Sequence, residues 1–291
     1  MKIPPYLKAG DLVAIVATAR KISPEECAPA VAWLQNLGLR VRLGSSIGLA
    51  DRQFAGTDAE RLADLQQQFD DAEVRAVLCA RGGYGTVRLL DGIRWDGFEA
   101  SPKWLCGYSD ITVLHAALQS RGYASIHSTM PVNFKEEPEA LASWQSLWEA
   151  LRGQEPVYLA SNFFWARGHQ MHGAVVGGNL SVLYSLLGSP TLPDFKGKLL
   201  FLEDLDEYLY HLDRMMQALR RAGKLEGLAG LVVGGLTQMN DNAIGFGRTA
   251  EEILMEAVAA YDYPVLFGFP AGHQPLNLAL RMGMPLQLQK S

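Results

Sequence analysis

From Leu12 onward the chain alternates short β-rich runs with longer segments of helical period, and that alternation restricts it to an α/β architecture built on a parallel sheet. Leu12 to Ala17 reads as the first strand. A helix from about Pro24 to Leu37 follows, with proline near its start and Gly38 as its stop, and Leu39 to Leu43 returns as a strand. Thr57-Asp58-Ala59-Glu60 is a capping box, whose hydroxyl and carboxylate satisfy free helix N–H groups, and it opens a helix to about Phe69. Val74 to Ala80 is the next strand. Directly after it come Arg81-Gly82-Gly83-Tyr84-Gly85 and a helical stretch from Thr86 to about Ile93. Trp104 to Tyr108 is a further buried strand, and Asp110 to Arg121 has helical spacing, with Ile111, Leu114, His115 and Leu118 on one side. Ser109 therefore falls on a strand-to-helix turn. Ligands of open α/β sheets bind outside the carboxyl ends of the strands, so Gly82, Gly83 and Ser109 are expected to share one crevice.

Between about Glu136 and His169 the alternation degrades into a Trp-containing helix, Ala140 to Leu151, and a polar, aromatic stretch around Gln154 to Gly168. A chain of 291 residues can bury two cores. The expected division is residues 1–153, a linker at 154–170, and residues 171–291. The second half offers strands at His172–Val176, Lys198–Leu202, Leu228–Leu236 and Pro264–Phe269. Helices are expected from Asn179 to about Leu187, from about Tyr208 to Ala222 with Gly223 as stop, and from a second capping box, Thr249-Ala250-Glu251-Glu252, to about Tyr261. The tail from Pro275 to Gln289 alternates apolar and polar residues around Gly283, the pattern of a hairpin.

Composition narrows the function classes. A net charge of −5 with no basic run gives no electrostatic footprint for nucleic acid. Cys27, Cys79 and Cys106 are odd in number and lack C-x-x-C spacing, which argues against structural zinc and a disulfide framework and for a reducing compartment. No stretch approaches 18 apolar residues, and Met1-Lys2-Ile3-Pro4-Pro5 has no uninterrupted apolar run. A cytoplasmic location without membrane association is expected.

A serine on a tight turn between strand and helix exposes its hydroxyl, and the next N–H points from the helix start into the same space. Gly107-Tyr108-Ser109-Asp110-Ile111 lacks the second glycine of G-x-S-x-G, so on spacing alone Ser109 can equally cap the following helix. A nucleophilic serine needs a base, and the six histidines are His115, His127, His169, His172, His211 and His273. His115 points with an apolar helix face, His127 could line the crevice, and His211 sits on a polar helix. His273 follows the Phe269-Pro270-Ala271-Gly272 turn, where a loop can hold an imidazole over a crevice, and is the better base. The third member is an acid that fixes the imidazole tautomer. Glu203 ends an apolar strand, while Asp204, Asp206 and Glu207 compete for the role. The glycine run after Arg81 could cradle a phosphate or supply an oxyanion N–H; its spacing matches neither nucleotide fingerprint. Arg81 could hold a substrate carboxylate or cap a loop.

These residues, with Phe54-Ala55-Gly56-Thr57, Glu60-Arg61-Leu62, Gly177-Gly178-Asn179-Leu180, Leu202-Glu203-Asp204 with Glu207, and Gly272-His273, give the chain a whole-length resemblance to the L,D-carboxypeptidases of the S66 peptidase family. That resemblance implies Ser109 as nucleophile, Glu203 as orienting acid and His273 as base, with the backbone N–H of Asp110 and of Gly83 as oxyanion hole. It makes Arg81 and Asn179 candidate substrate-binding residues. It implies a flavodoxin-like N-terminal sheet domain, a smaller β-rich swivelling C-terminal domain that brings Glu203 and His273, no metal or organic cofactor, and usually a homodimer. The implied substrate is murein tetrapeptide, cut at the amide between a diamino acid and a terminal D-alanine in cell-wall peptide recycling. His127-Ser128-Thr129-Met130-Pro131 departs from the His-Gly-Pro of many members. Two other readings stand beside it. One resembles the microcin C immunity peptidases, which cleave aminoacyl-nucleotide analogues over a stacking aromatic such as Trp165; the other is a non-catalytic α/β ligand-binding protein.

Overall fold

The computed structural model describes residues 1–158 and 163–290. Its first half runs β1 (Leu12–Val16), α1 (Pro24–Asn36), β2 (Arg40–Leu43), α2 (Asp58–Asp70), β3 (Val74–Cys79), α3 (Asp96–Ala100), β4 (Trp104–Gly107), α4 (Thr112–Ser120), β5 (Ser125–His127) and α5 (Pro138–Leu151). The second runs β6 (Phe164–Arg167), β7 (Gln170–Asn179), α6 (Leu180–Ser185), β8 (Leu199–Leu205), α7 (Leu209–Arg221), β9 (Gly230–Thr237), α8 (Ala250–Ala257), β10 (Val265–Phe267), β11 (Leu280–Met282) and β12 (Pro285–Gln289). Both expected capping boxes form, Thr57 with Glu60 and Thr249 with Glu252, and a third, Ser23 with Glu26, opens α1. The helical stretch after the glycine run is a 3₁₀ helix over Thr86–Gly92.

Two six-stranded sheets result. The first has the order β11-β5-β4-β3-β1-β2, parallel from β2 to β5, and its β2-β1-β3-β4-β5 core is the flavodoxin-like order. The second has the order β12-β7-β8-β9-β10-β6, parallel from β7 to β10 with an antiparallel strand at each edge. β6 lies within the stretch expected as a linker, yet its backbone pairs with β10.

The expected hairpin at 275–289 does not form. Gly283 turns the chain at φ +80°, but β11 joins β5 of the first sheet while β12 joins β7 of the second. Alternation reports that each segment has one buried face and is silent about its hydrogen-bonding partner. Helix α4 also differs from its one-sided pattern, because every residue from Thr112 to Gln119 is buried. The second sheet covers the side that the first leaves open, and one apolar core runs through Val113, Leu114, Val176, Leu180 and Leu200. The helix that follows Ser109 is thus the packing element between the sheets.

Candidate active site

Residues 108–111 leave β4 through a strained turn. Ser109 has φ +63°, an uncommon conformation for a residue with a Cβ, and Gly107 before it has φ +151°. Its side chain caps nothing: the N-cap of α4 is Ile111, and no side-chain cap bond opens the 3₁₀ turn over Ser109–Ile111. Ser109 lines a cavity of about 140 Å³ with Arg20, Arg81, Gly82, Gly83, Tyr108 and His273. A Cβ at Gly82 would sit 3.2 Å from Ser109 Cβ, and Gly83, at φ +110°, lies directly beneath the Arg20 side chain. Glycine is required at 83 for close approach, whereas a Cβ at 82 would crowd Ser109 by a few tenths of an ångström. Among the described residues, neither the Gly83 N–H nor the Asp110 N–H donates to a protein acceptor.

The imidazole comes from the other sheet. Glu203, wholly buried in the C-terminal half of β8, accepts from both the backbone N–H and the Nδ1 of His273, at 3.1 and 2.6 Å. Gly272 is needed, since its Cβ would meet Glu203 Cβ at 2.7 Å. The turn is pinned by Gly272 N–H to Asn277 Oδ1 at 2.9 Å and by the Thr237 hydroxyl donating to His273 O at 2.8 Å. Burial lowers the His273 pKa, but the hydrogen bond and charge of Glu203 outweigh it, and the net shift is upward. The Tyr108 ring packs on the imidazole at a centroid distance of 4.8 Å. Among the described residues no hydrogen bond joins Ser109 to His273; the two share the cavity wall.

The competing candidates fall elsewhere. His115 bonds the Ser125 hydroxyl and Gly107 O, and burial pushes it down to about 4. His127 does not line the cavity; it is fully buried against Tyr108 and Phe201, and burial holds it well below the usual range. His169 and His172 are exposed, and His211 pairs with Glu207. Asp204, adjacent to Glu203, points to the opposite face of β8 as strand alternation requires. It accepts from Asn179 Nδ2, Ser181 N and Leu205 N, each at 2.9 Å, and burial with the charge of Glu203 raises it to about 7. Asn179 is therefore committed to Asp204 and to capping α6, and is not part of the cavity wall. Asp206 binds Asn240. Trp165 lies on β6 beside Leu266 and packs on the Phe269 cluster, away from the cavity. Arg81 does line it, with Nη1 3.8 Å from Glu26.

Arg20 and Tyr108 were not singled out in the sequence. Arg20 follows β1, and the gap between β1 and β3 is where the strand order reverses, which is the signal that marks it. Beyond Tyr108 lies a second cavity of about 430 Å³ lined by Asn133, Lys135, Glu137, Glu139 and Gln274, among others. Among the described residues no cluster of His, Cys, Asp and Glu has the makings of a metal site.

Two α/β sheet domains, with a serine at positive φ and a carboxylate-held imidazole on the wall of one cavity, have the parts of a serine-type hydrolase. Residues 13–128 match the LD-carboxypeptidase N-terminal domain and residues 172–288 the LD-carboxypeptidase C-terminal domain; the chain belongs to this S66 peptidase family. It is 37% identical over 285 residues to the probable murein peptide carboxypeptidase of Bacillus subtilis, covering 96% of this chain and 89% of that protein. It is 31% identical over 287 residues to the murein tetrapeptide carboxypeptidase of Pseudomonas aeruginosa, covering 95% and 92%. The crystal structure of a muramoyltetrapeptide carboxypeptidase from Oxalobacter formigenes superposes with a TM-score of 0.81 at 25% identity, over 96% of this chain and 95% of that one. MccF in complex with glutamyl sulfamoyl guanosine superposes at 0.88, over 99% and 98%, but at 19% identity, a likeness of fold.

Proposed function

We propose that this chain removes the terminal D-alanine from murein tetrapeptide, with Ser109 as nucleophile, His273 as base and Glu203 as the acid that orients it. The observation that carries this reading is the cavity common to Ser109 and His273, with Glu203 on the far ring nitrogen. His273 Nε2 removes the Ser109 proton as Oγ attacks the carbonyl between the diamino acid and D-alanine. The N–H groups of Asp110 and Gly83 receive the oxyanion, each worth about 3 to 4 kcal/mol of barrier. His273 then protonates the departing amine, and water releases the acyl-enzyme by the same route. Arg20 and Arg81 supply positive charge beside Ser109 for a substrate carboxylate, and the 430 Å³ cavity beyond Tyr108 gives room for more of the peptide.

The same reading makes the protein a cytoplasmic homodimer divided near residues 153 and 171. Three buried free cysteines support the compartment, and no helix among the described residues is long and apolar enough to cross a membrane. The test incubates the purified protein with murein tetrapeptide and, separately, with an aminoacyl sulfamoyl-adenylate, following D-alanine or nucleoside release by mass spectrometry. D-alanine release that is lost in Ser109→Ala is expected. Equal release by wild type and Ser109→Ala would refute the mechanism, and turnover of the nucleotide analogue alone would refute the substrate.

A further inference from the structure

Arg61 belongs to the Glu60-Arg61-Leu62 segment, and no step above uses it. Its side chain is wholly buried, with the guanidinium carbon 5.0 Å from the centroid of the Phe54 ring. Nη1 donates to the carbonyls of Thr18 and Gly85, the latter at 3.0 Å, and Nη2 pairs with Asp58. Asp110, next to Ser109 and also buried, accepts the Thr86 N–H at 2.8 Å. The Gly85 carbonyl and the Thr86 N–H are the two edges of one peptide unit. A cation therefore grips its oxygen and a carboxylate its nitrogen. The Thr86 and Thr18 hydroxyls, 2.9 Å apart, tie the same unit to the end of β1. Gly85 has φ +134°, and a Cβ there would meet Arg61 Nη1 and the Phe54 ring at 3.0 Å, so the guanidinium reaches this carbonyl only because the residue is glycine.

We propose that Asp110 and Arg61 are positioning residues which lock the Gly85–Thr86 peptide and thereby hold the Gly82–Gly83 backbone with the Gly83 N–H aimed at the oxyanion. Burying two ionised side chains is expensive, and their attachment to one peptide gives that expense a purpose. Gly82, Gly83 and Gly85 have no Cβ to restrain them, so without outside anchors this run has many conformations available. Asp110 then serves twice: its own N–H is one oxyanion donor and its carboxylate orients the loop that carries the other. The inference rests on the serine-hydrolase reading above, and the experiment separates the two.

The full chain and its Asp110→Ala, Asp110→Asn and Arg61→Met variants are compared in tetrapeptide turnover and in the rate at which a fluorophosphonate labels Ser109. Asp110→Ala should lose about 100-fold in kcat with KM within about threefold, and labelling should slow in step, because the oxyanion donors act on the transition state. Asp110→Asn keeps an acceptor oxygen and should recover to within about tenfold of wild type, while Arg61→Met should follow Asp110→Ala in direction. A folded Asp110→Ala that turns over and labels within about threefold of wild type, or that raises KM alone, overturns the positioning role. If Asp110→Ala does not fold, Asp110→Ser, too short to reach Thr86, is judged by the same thresholds. Labelling needs no peptide: a wild type that labels at Ser109 but releases no D-alanine refutes the substrate, while the labelling rates still decide the role of Asp110. A wild type that does not label at Ser109 overturns both.

Discussion

At Ser109 one residue carries both strain and exposure. A left-handed conformation costs a residue with a Cβ about 1 to 2 kcal/mol, and it persists here because Gly107 and the 3₁₀ turn after it fix the backbone. The return is a hydroxyl turned out of the helix start and into the cavity shared with His273. The partner of that imidazole sets the pH response. His273 is a base only when neutral, so kcat/KM should fall as pH drops through its pKa, which Glu203 raises against the lowering effect of burial. Glu203→Gln keeps the packing and removes the charge that stabilises the imidazolium. Burial then dominates, and the acid limb of kcat/KM for D-alanine release should move to lower pH while the plateau drops between about 100- and 10,000-fold. An acid limb that stays in place in Glu203→Gln would mean that another group sets it.

Among the elements, features fixed by a few neighbouring residues were legible in the sequence. The turns that place Gly82, Gly83 and Ser109 at strand ends follow from glycine positions and from the change between periods of 2 and 3.6, and two capping boxes were legible as four-residue patterns. Pairing was not legible, because β11 and β12 carry the same alternation and go to different sheets. Nor could the residue pattern choose between Glu203 and Asp204, since neighbouring residues of a strand face opposite ways; the family resemblance pointed to Glu203, the one whose carboxylate meets His273. Arg20 was missed because its neighbours in space, Gly82 and Gly83, come from another loop. Those glycines make a prediction at this scale. Gly82 has no positive φ to preserve, so Gly82→Ala should fold with little loss of thermal stability, yet its methyl group would press on Ser109 Cβ and Oγ at 3.2 and 3.4 Å. If Ser109 is the nucleophile proposed above, displacing its Oγ by a few tenths of an ångström should lower kcat by about tenfold or more. A Gly82→Ala enzyme with wild-type kcat would show that Oγ has room to move without penalty.

Across the whole molecule the proposed nucleophile, Ser109, and the proposed base, His273, are held by different sheets, so their alignment depends on how the sheets meet. They meet at α4. Its first residue, Thr112, stands three positions after Ser109, and its hydroxyl accepts the Asn179 N–H at 3.0 Å from the end of β7. Asn179 is in turn the register partner of Glu203 on β8. A short path therefore runs from Ser109 through Thr112 and Asn179 to the carboxylate that holds His273. Gly178 lets the path close, since a Cβ there would lie 2.6 Å from Thr112 Oγ1 and 2.8 Å from its Cγ2. Gly178→Ala should lower stability by about 1 to 3 kcal/mol, partly from φ +141° on its own strand and partly from the clash across the interface. Only the clash should disturb catalysis. Thr112→Ala removes both clashing atoms and, with them, the hydrogen bond from Asn179, so it is the background for comparison: there Gly178→Ala should cost little further kcat, while the backbone strain should still lower the melting temperature. If Gly178→Ala costs as much kcat on the Thr112→Ala background as it does in the wild type, Gly178 acts through β7 alone and the alignment of the two sheets is set elsewhere.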